Sequence, residues 1–597
     1  MTKRTVYSLL EEAVAAQGNK AAMHQPESTK DGRQYRTYSW IEYRDIVREI
    51  ACGLRAIGVE NGDMVGIGSE TRAEFYLVDI GVMSNGATAA ALYVNSQARE
   101  QVDALRRCGA KVVFVEDAKI HKMLMDAGGG ELAVRWIVMS GLIDGVMTLE
   151  ELRGRGRAAM ADDAEYFDRI RLGVMPEQRA ILYLTSGATG APKFVEVSHA
   201  ALVANVDLGA KAVHLSPADR VLAFLPSAHI AQRLGIELLP LRLRIPVYFS
   251  ESLARMPHEF KTVKPTFFLA PPRVWERVYA SVRTEVQKKS GTAKKLFYTA
   301  IGMSADAVKL RHAGKPVPLW MKAPLALFDR IIFAKIRERL GGEMTFAVSG
   351  AAPLAKELAL FYEAIGMPLH EGFGLTEAGV LTLNLLGRRK LGSIGQPFSE
   401  VQLKLADDGE LLVSGPTLAM GYFNDPKATA ETFRDGWLYT GDIAEIADDG
   451  FVSITGRKKE IIVSSNGKKI YPSKVEELFK TEPLISQMVL AGEKQPFISA
   501  LFTINTAMAE MMEGLKGKTL AEMAASAPVQ AAIKKAVKAA NAQLATYEQV
   551  KKFRVLPVEF SIEGGELTPT MKVRRSRVLD IHAATVAEMY VATDDLL

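Results

Sequence analysis

The sequence predicts an α/β protein with a large N-terminal domain of layered α/β subdomains, a small β-rich subdomain, and a smaller α+β C-terminal domain. Three observations predict it. Over residues 1–110, apolar runs of strand length alternate with helix-length patterns, as in parallel α/β layers. Residues 401–460 alternate short strands with turns at Asp408-Gly409, Asp435-Gly436 and Asp449-Gly450, as a compact β unit does. Beyond Lys459 a helix opens, and residues 505–545 are rich in Ala and Lys, which are strong helix formers. The boundary divides 1–458 from 459–597.

Taken in order, residues 35–40 read as a strand and 41–57 as a helix. Asp63 to Ile67 is a buried strand, 72–85 a helix, and 88–93 and 111–115 are strands around a helix over 96–108. Residues 150–172 are charged and strand-poor, and read as a connection. Ala180 to Leu184 is a buried strand and 194–197 alternates like another. Ser198 can cap a helix over 199–212. Val221 to Leu225 and Met344 to Val348 are further strands. Ser473-Lys-Val-Glu476, with Pro472 before it, reads as a capping box, and 551–572 holds two strands.

The chain has 597 residues, 48% of them apolar and 24% charged, with a net charge of +5. That balance is ordinary for a globular protein and gives no argument for nucleic acid. Two cysteines, Cys52 and Cys108, make no disulfide framework and no zinc spacing. A reducing, cytoplasmic setting is expected. The N-terminus lacks a signal-peptide core, and no stretch is apolar enough to span a bilayer. Residues 281–340 carry 13 Lys or Arg against Glu285, Asp306, Asp329 and Glu338, interleaved with Trp320, Leu325 and Phe328. Two readings stay open: solvated faces of ordinary helices, or peripheral contact with the inner face of an anionic membrane.

The chain is organised around Tyr183-Leu-Thr-Ser-Gly-Ala-Thr-Gly-Ala-Pro-Lys193. Thr185, Ser186, Gly187, Thr189 and Gly190 crowd into six positions and Lys193 closes the run. Small hydroxyls and glycines let backbone N–H groups converge on phosphate oxygens. A P-loop of the G-x-x-x-x-G-K-[ST] kind fails on spacing, because Pro192 precedes Lys193 and Phe194 follows it. The run is a strand–loop–strand clasp.

Four further motifs follow: Ser349-Gly-Ala-Ala-Pro353, Gly372-Phe-Gly-Leu-Thr-Glu377, Leu438-Tyr-Thr-Gly-Asp442, and Gly456-Arg457 through Ile470. With the clasp, in this order, they resemble the adenylate-forming superfamily of acyl-CoA synthetases, adenylation domains and luciferases. The resemblance runs from about Thr37 to Lys572. Leu225-Pro-Ser-Ala-His-Ile-Ala-Gln-Arg233, the 281–340 insertion and Glu566-Leu-Thr-Pro-Thr-Met-Lys572 are most similar to bacterial long-chain fatty-acyl-CoA synthetases.

That resemblance implies an ATP-, Mg2+- and coenzyme A-dependent ligase acting on a fatty acid, first forming acyl-AMP and pyrophosphate, then acyl-CoA and AMP. Thr185, Ser186, Gly187, Thr189, Gly190 and Lys193 would hold the β- and γ-phosphates. Glu377, with Thr185, would hold Mg2+, and Thr376 the α-phosphate. Gly350, Ala351, Glu371, Gly372 and Phe373 would line the adenine slot. Asp442 would accept the ribose hydroxyls beside Arg457. Lys572 would bridge the carboxylate and α-phosphate, with His229 near the acyl carboxylate. Lys459 would be the hinge of a mobile C-terminal domain, bringing Ser464, Gly467 and Lys469 toward coenzyme A.

Taken singly, Asp442 also reads as a turn residue, Glu377 as a helix-start carboxylate, and His229 as a structural histidine. Two departures from the pattern stand out: Ala188 removes a hydroxyl from the clasp, and Phe194 replaces a glycine. An acyl-AMP ligase serving a carrier protein, a medium-chain or aryl-CoA ligase, and a catalytically silent nucleotide- or lipid-binding protein stay open as alternatives. So does a homodimer.

Overall fold

The computed structural model describes residues 4–29, 32–185, 193–385 and 387–591. Ser186, Gly187, Ala188, Thr189 and Gly190 of the clasp lie outside the described residues. Two large sheets form the body. In the first, the parallel strands Thr88–Ala91, Met64–Gly68, Ala110–Val115 and Arg135–Val138 continue through Arg179–Thr185 to antiparallel Lys193–Ser198 and Gly421–Tyr422. Met64–Gly68 is buried at every position, as expected of a strand covered on both faces. In the second, Val247–Phe249, Val221–Ala223, Phe267–Ala270, Phe346–Ser349 and Leu369–Leu375 run parallel, with antiparallel Gly379–Leu383 and Gln396–Pro397 at one edge and antiparallel Gly32–Ser39 at the other. Helices between the sheets join both into one apolar cluster that includes Val65, Phe75, Ile181, Leu234 and Val247.

The helices Trp40–Ala56, Ala73–Asn85, Ala98–Cys108 and His199–Ala212 lie where the sequence places them. Ser198 Oγ accepts from Ala201 N at 3.2 Å and starts the last of them. Residues 150–172 differ from expectation, forming two helices, Leu149–Asp162 and Tyr166–Leu172. A capping box of Thr148 and Glu151 starts the first. One glycine on each of two facing helices serves packing: a Cβ at Gly156 would lie 1.9 Å from Glu49 O, and one at Gly53 2.3 Å from Leu152 O. The helix Leu149–Asp162 thus crosses Trp40–Ala56 backbone against backbone.

Gln402–Leu405, Glu410–Ser414, Phe433–Arg434, Trp437–Ile446 and Val452–Arg457 form the small β-rich sheet. Asp435 and Gly436 both adopt positive φ at its turn, 51° and 78°, as a tight hairpin of this kind demands.

Beyond it, Ile485–Ala491, Ile498–Ile504 and Val550–Val555 make a three-stranded sheet under the helix Ala527–Asn541. Ser473 is not the cap expected there. Pro472 takes the first helical position, where its missing N–H is harmless, and Ser473 Oγ donates to Thr455 O. The second strand expected within 551–572 is reduced to one bridge, Leu567 with Val573. Among the described residues the apolar clusters of this part draw only on 462–590. Its contacts with the body include polar bonds: Lys480 Nζ to Pro353 O at 2.7 Å, Arg273 Nη1 to Ser486 O at 2.8 Å, and Lys356 N to Glu477 Oε1 at 3.1 Å.

Candidate active site

The site gathers at the carboxyl ends of the parallel strands, where open α/β sheets place their ligand crevices. Thr185 and Lys193 are register partners at the base of the clasp, and Thr185 Oγ1 donates to Lys193 O at 3.2 Å. Phe194 follows Lys193 in the same strand. Its ring is buried in an apolar cluster with Val113 and Leu182, and the Arg107 guanidinium lies 4.8 Å from its centroid.

On the second sheet, Ser349 and Glu371 are register partners, so the two motifs that follow them leave the sheet side by side. A Cβ on Gly350 would come within 3.5 Å of Gly372 O. Ala351 holds φ at 68°, an uncommon conformation for a residue with a side chain. The strand Leu369–Leu375 carries Gly372 and Phe373 through into a hairpin whose turn holds Thr376 and Glu377. Gly374 and Gly379 pinch that turn, since a Cβ on Gly374 would lie 2.3 Å from Gly379 O. Glu371 is buried and accepts from Leu354 N at 3.1 Å. Burial pushes its carboxyl up to about 8.

Asp442 is 2% exposed. Its Oδ1 accepts from Arg457 Nε at 3.0 Å, and its Oδ2 is buried with no partner among the described residues. Burial raises its carboxyl to about 6 against the pull of Arg457 and Lys572. Glu410 braces the turn, accepting from Gly441 N at 2.8 Å and from Lys458 Nζ at 2.9 Å.

Lys572 hangs from a tight loop. Thr568 N donates to Lys572 O at 2.8 Å, and Lys572 N to Thr568 Oγ1 at 3.0 Å. Asn95 Nδ2 ties the loop to the body through Pro569 O at 2.9 Å. The lysine is reached by solvent yet hemmed in by protein. That enclosure, then the Arg457 charge, lowers its ammonium to about 8, while Asp442 and Glu460 oppose the shift. His229 faces the same charge. Its Nδ1 accepts from Ala231 N at 3.2 Å, and burial with the Lys572 charge lowers the imidazole to about 3. It is a neutral ring.

The structure therefore brings together Thr185 with Lys193, Gly350 with Gly372, and Asp442 with Arg457, Lys572 and His229. Lys459 is exposed in a short turn, Lys458–Glu460. Ser464 is buried, Gly467 has φ of 77°, and Lys469 is exposed, all three on or beside the hairpin Ile462–Val463 and Lys469–Ile470. Sequence reasoning missed Tyr422, Glu410 and the buried pair Asp79–Arg233. A signal for Tyr422 was present in the spacing Gly421-Tyr422, Asp425-Pro426, Thr429: Asp425 caps the next helix, and Thr429 Oγ1 receives Tyr422 N at 2.9 Å.

The AMP-binding enzyme family matches residues 10–423, and the AMP-binding enzyme C-terminal domain matches residues 459–594. The chain belongs to the AMP-binding enzyme family. This bears out the resemblance drawn from the five motifs. Among relatives within this AMP-binding family, long-chain-fatty-acid–CoA ligase FadD15 of Mycobacterium bovis is 36% identical, covering 91% of this chain and 90% of its own. Long-chain-fatty-acid–CoA ligase ACSBG2 of Rattus norvegicus is 27% identical over 99% of this chain and 93% of its own. Solved structures share the AMP-binding fold. The adenylation domain of a carboxylate reductase from Mycobacterium chelonae aligns with a TM-score of 0.74 at 20% identity, covering 99% of this chain and 92% of that one. An anthranilate CoA ligase in complex with anthranoyl-AMP aligns with a TM-score of 0.74 at 18% identity, covering 98% and 99%.

A nucleotide fits the residues present. The orphaned Oδ2 of Asp442 is a buried acceptor that a vicinal diol satisfies, and Lys193 supplies charge at the clasp base.

Proposed function

We propose that the chain is a long-chain fatty acid–CoA ligase. The fatty carboxylate attacks the α-phosphorus of ATP and expels pyrophosphate, and the thiol of coenzyme A then takes the acyl group and releases AMP. The observation that carries this reading is the convergence of Lys572, Asp442 and His229 in one crevice. The substrate class rests on the relatives that are 36% and 27% identical over nearly the whole chain.

The first step joins two anions, so it needs fixed positive charge and oriented donors. Lys572 bridges the fatty carboxylate and the α-phosphate. Thr185 and Lys193, with Ser186, Gly187, Thr189 and Gly190, hold the outer phosphates, and Thr376 the inner one. Asp442 takes the ribose diol on its free oxygen, with Arg457 fixing the other. Gly350, Ala351, Gly372 and Phe373 form the adenine slot, and Glu371 keeps its edge in place through Leu354. His229, neutral and capped by Ala231, borders the acyl carboxylate without adding charge. Glu377 and Thr185 would hold Mg2+, a hard cation suited to oxygen ligands, which neutralises phosphate charge when bound.

Residues 1–458 act as the adenylation domain and 459–597 as the mobile one. Rotation about Lys459 withdraws Lys572 and presents Ser464, Gly467 and Lys469 to coenzyme A. Polar contacts at the domain junction favour such motion. Among the described residues no helix is long and apolar enough to cross a membrane. A peripheral contact is supported by Leu319, Trp320 and Leu327, which are 79, 68 and 55% exposed. Lys315, Lys322, Arg330 and Lys335 lie near them in sequence, and none forms an ion pair among the described residues. Apolar anchors ringed by cations suit an anionic lipid surface.

AMP release with ATP, Mg2+ and fatty acids of graded chain length, each with and without coenzyme A, tests the reading. CoA-dependent turnover peaking on long chains is expected. Acyl-AMP accumulating without CoA dependence would move the protein to the acyl-AMP ligases, and no turnover with any acid would leave a silent binding protein.

A further inference from the structure

The geometry points to Tyr422 as a positioning residue that brackets the phosphate lysine and the metal carboxylate, so that one phenol sets the separation of Lys193 and Glu377. The inference rests on the proposed nucleotide site. Tyr422 OH donates to Glu377 Oε1 at 2.8 Å, and Lys193 Nζ lies 4.6 Å from the centroid of the same ring. The ring face is electron-rich and holds the ammonium, while the hydroxyl at its edge holds the carboxylate. The two charged groups therefore each meet a different part of one side chain. Glu377 Oε2 accepts no hydrogen bond among the described residues.

Tyr422 can set a distance because its own backbone is fixed on both sides. Tyr422 pairs with Val195 in the strand that carries Lys193, and Met420 N and Phe423 N donate to Glu196 O and Phe194 O, each at 2.8 Å. Ala419 N donates to Glu377 O at 2.8 Å. The segment 419–423 is thus stitched to the clasp strand and to the Glu377 turn at once. At Gly421 a Cβ would lie 2.6 Å from Thr429 Cγ2, so only glycine admits this close seat. The phenol is the part of the seat that reaches both charged groups.

The two contacts separate by substitution. Tyr422→Phe removes the hydroxyl and keeps the ring; Tyr422→Leu removes both. Binding of ATP to the full-length protein is followed by calorimetry across a Mg2+ titration, with no fatty acid or coenzyme A present. Acyl specificity therefore cannot enter the result. Tyr422→Phe is expected to raise the Mg2+ concentration needed for half-maximal ATP binding about tenfold, the scale of a hydrogen bond to a charged group, with unchanged affinity at saturating Mg2+ and unchanged Tm. Tyr422→Leu is expected to weaken ATP binding at saturating Mg2+ as well. In a Glu377→Gln background, Tyr422→Phe should add little, because the two act as one unit. A Tyr422→Phe titration that superimposes on wild type would overturn the inference. So would a shift that persists in full on Glu377→Gln. A wild-type chain that bound no MgATP would sink the underlying nucleotide site, and the bracket with it.

Discussion

Asp442 accepts from Arg457 Nε at 3.0 Å on one carboxylate oxygen and keeps the other buried without a partner among the described residues. A buried acceptor left open carries a desolvation penalty of about 1–3 kcal/mol, which the proposed ribose diol would relieve. The same carboxylate shares its crevice with Lys572, and the two shifts run toward each other, to about 6 and about 8.

A pH window follows. Above about 6 Asp442 is charged and can accept, and below about 8 Lys572 is charged and can bridge anions. Adenylation kcat/KM for ATP, which reports the free enzyme, should rise through about 6 and fall through about 8. Lys572→Arg should push the alkaline limb beyond the measured range, because a guanidinium stays charged. An alkaline limb unmoved in that variant would assign the fall to another group.

Lys572→Ala should abolish acyl-AMP formation yet leave thioester formation from supplied acyl-AMP near wild type. Pyrophosphate exchange and thioester release, measured separately, check this. Equal loss of both half-reactions in a folded variant would remove Lys572 from its role.

Asp79→Ala should destabilise the body by about 3–5 kcal/mol, the range for stripping one partner from a buried ion pair. Arg233 Nε donates to Asp79 Oδ2 at 3.2 Å, its Nη2 also donates to that carboxylate, and neither residue is more than 1% exposed. The helical turn bearing Arg233 begins right after His229. A lowered Tm is expected, with adenylation falling only as the fold is lost.

Glu371→Gln should flatten the pH dependence of stability. The folded carboxyl is raised to about 8, so the native state holds a proton that the unfolded chain releases near the usual glutamate value of about 4.3. Stability is fully present below that value and is lost as pH rises through about 8. Urea midpoints between pH 5 and 9 should fall less in the glutamine variant than in wild type.

Much of the architecture was legible because strand burial writes itself as apolar runs. Ala180 to Leu184 became Arg179–Thr185, and Ser198 caps the helix it was expected to cap. The five motifs were readable because each packs small or charged residues into a few consecutive positions. What escaped needed a partner distant in sequence. Arg-Gly-Arg-Gly-Arg157 reads as part of a charged connection until Gly156 is seen under Glu49 O. Asp79 and Arg233 are 154 residues apart, and each alone reads as surface charge. Tyr422 sits in an apolar-looking triplet, and only the clasp strand beside it gives its hydroxyl a target. Ser473 misled by two positions, because Tyr471 is the cap and Pro472 takes the first helical place.

The part of the chain that carries Lys572 keeps its oily side chains to itself, and it reaches the body through bonds such as Lys480 to Pro353 O and Asn95 to Pro569 O. Water can stand in for either end of such bonds at little net loss. Parting the two surfaces therefore uncovers little that water avoids. In the proposed mechanism the lysine leaves and comes back without uncovering much apolar surface, so the same face seals the crevice for one reaction and opens it for the next. A zipper of leucines in that place would have made a sturdier protein that stalled after its first product.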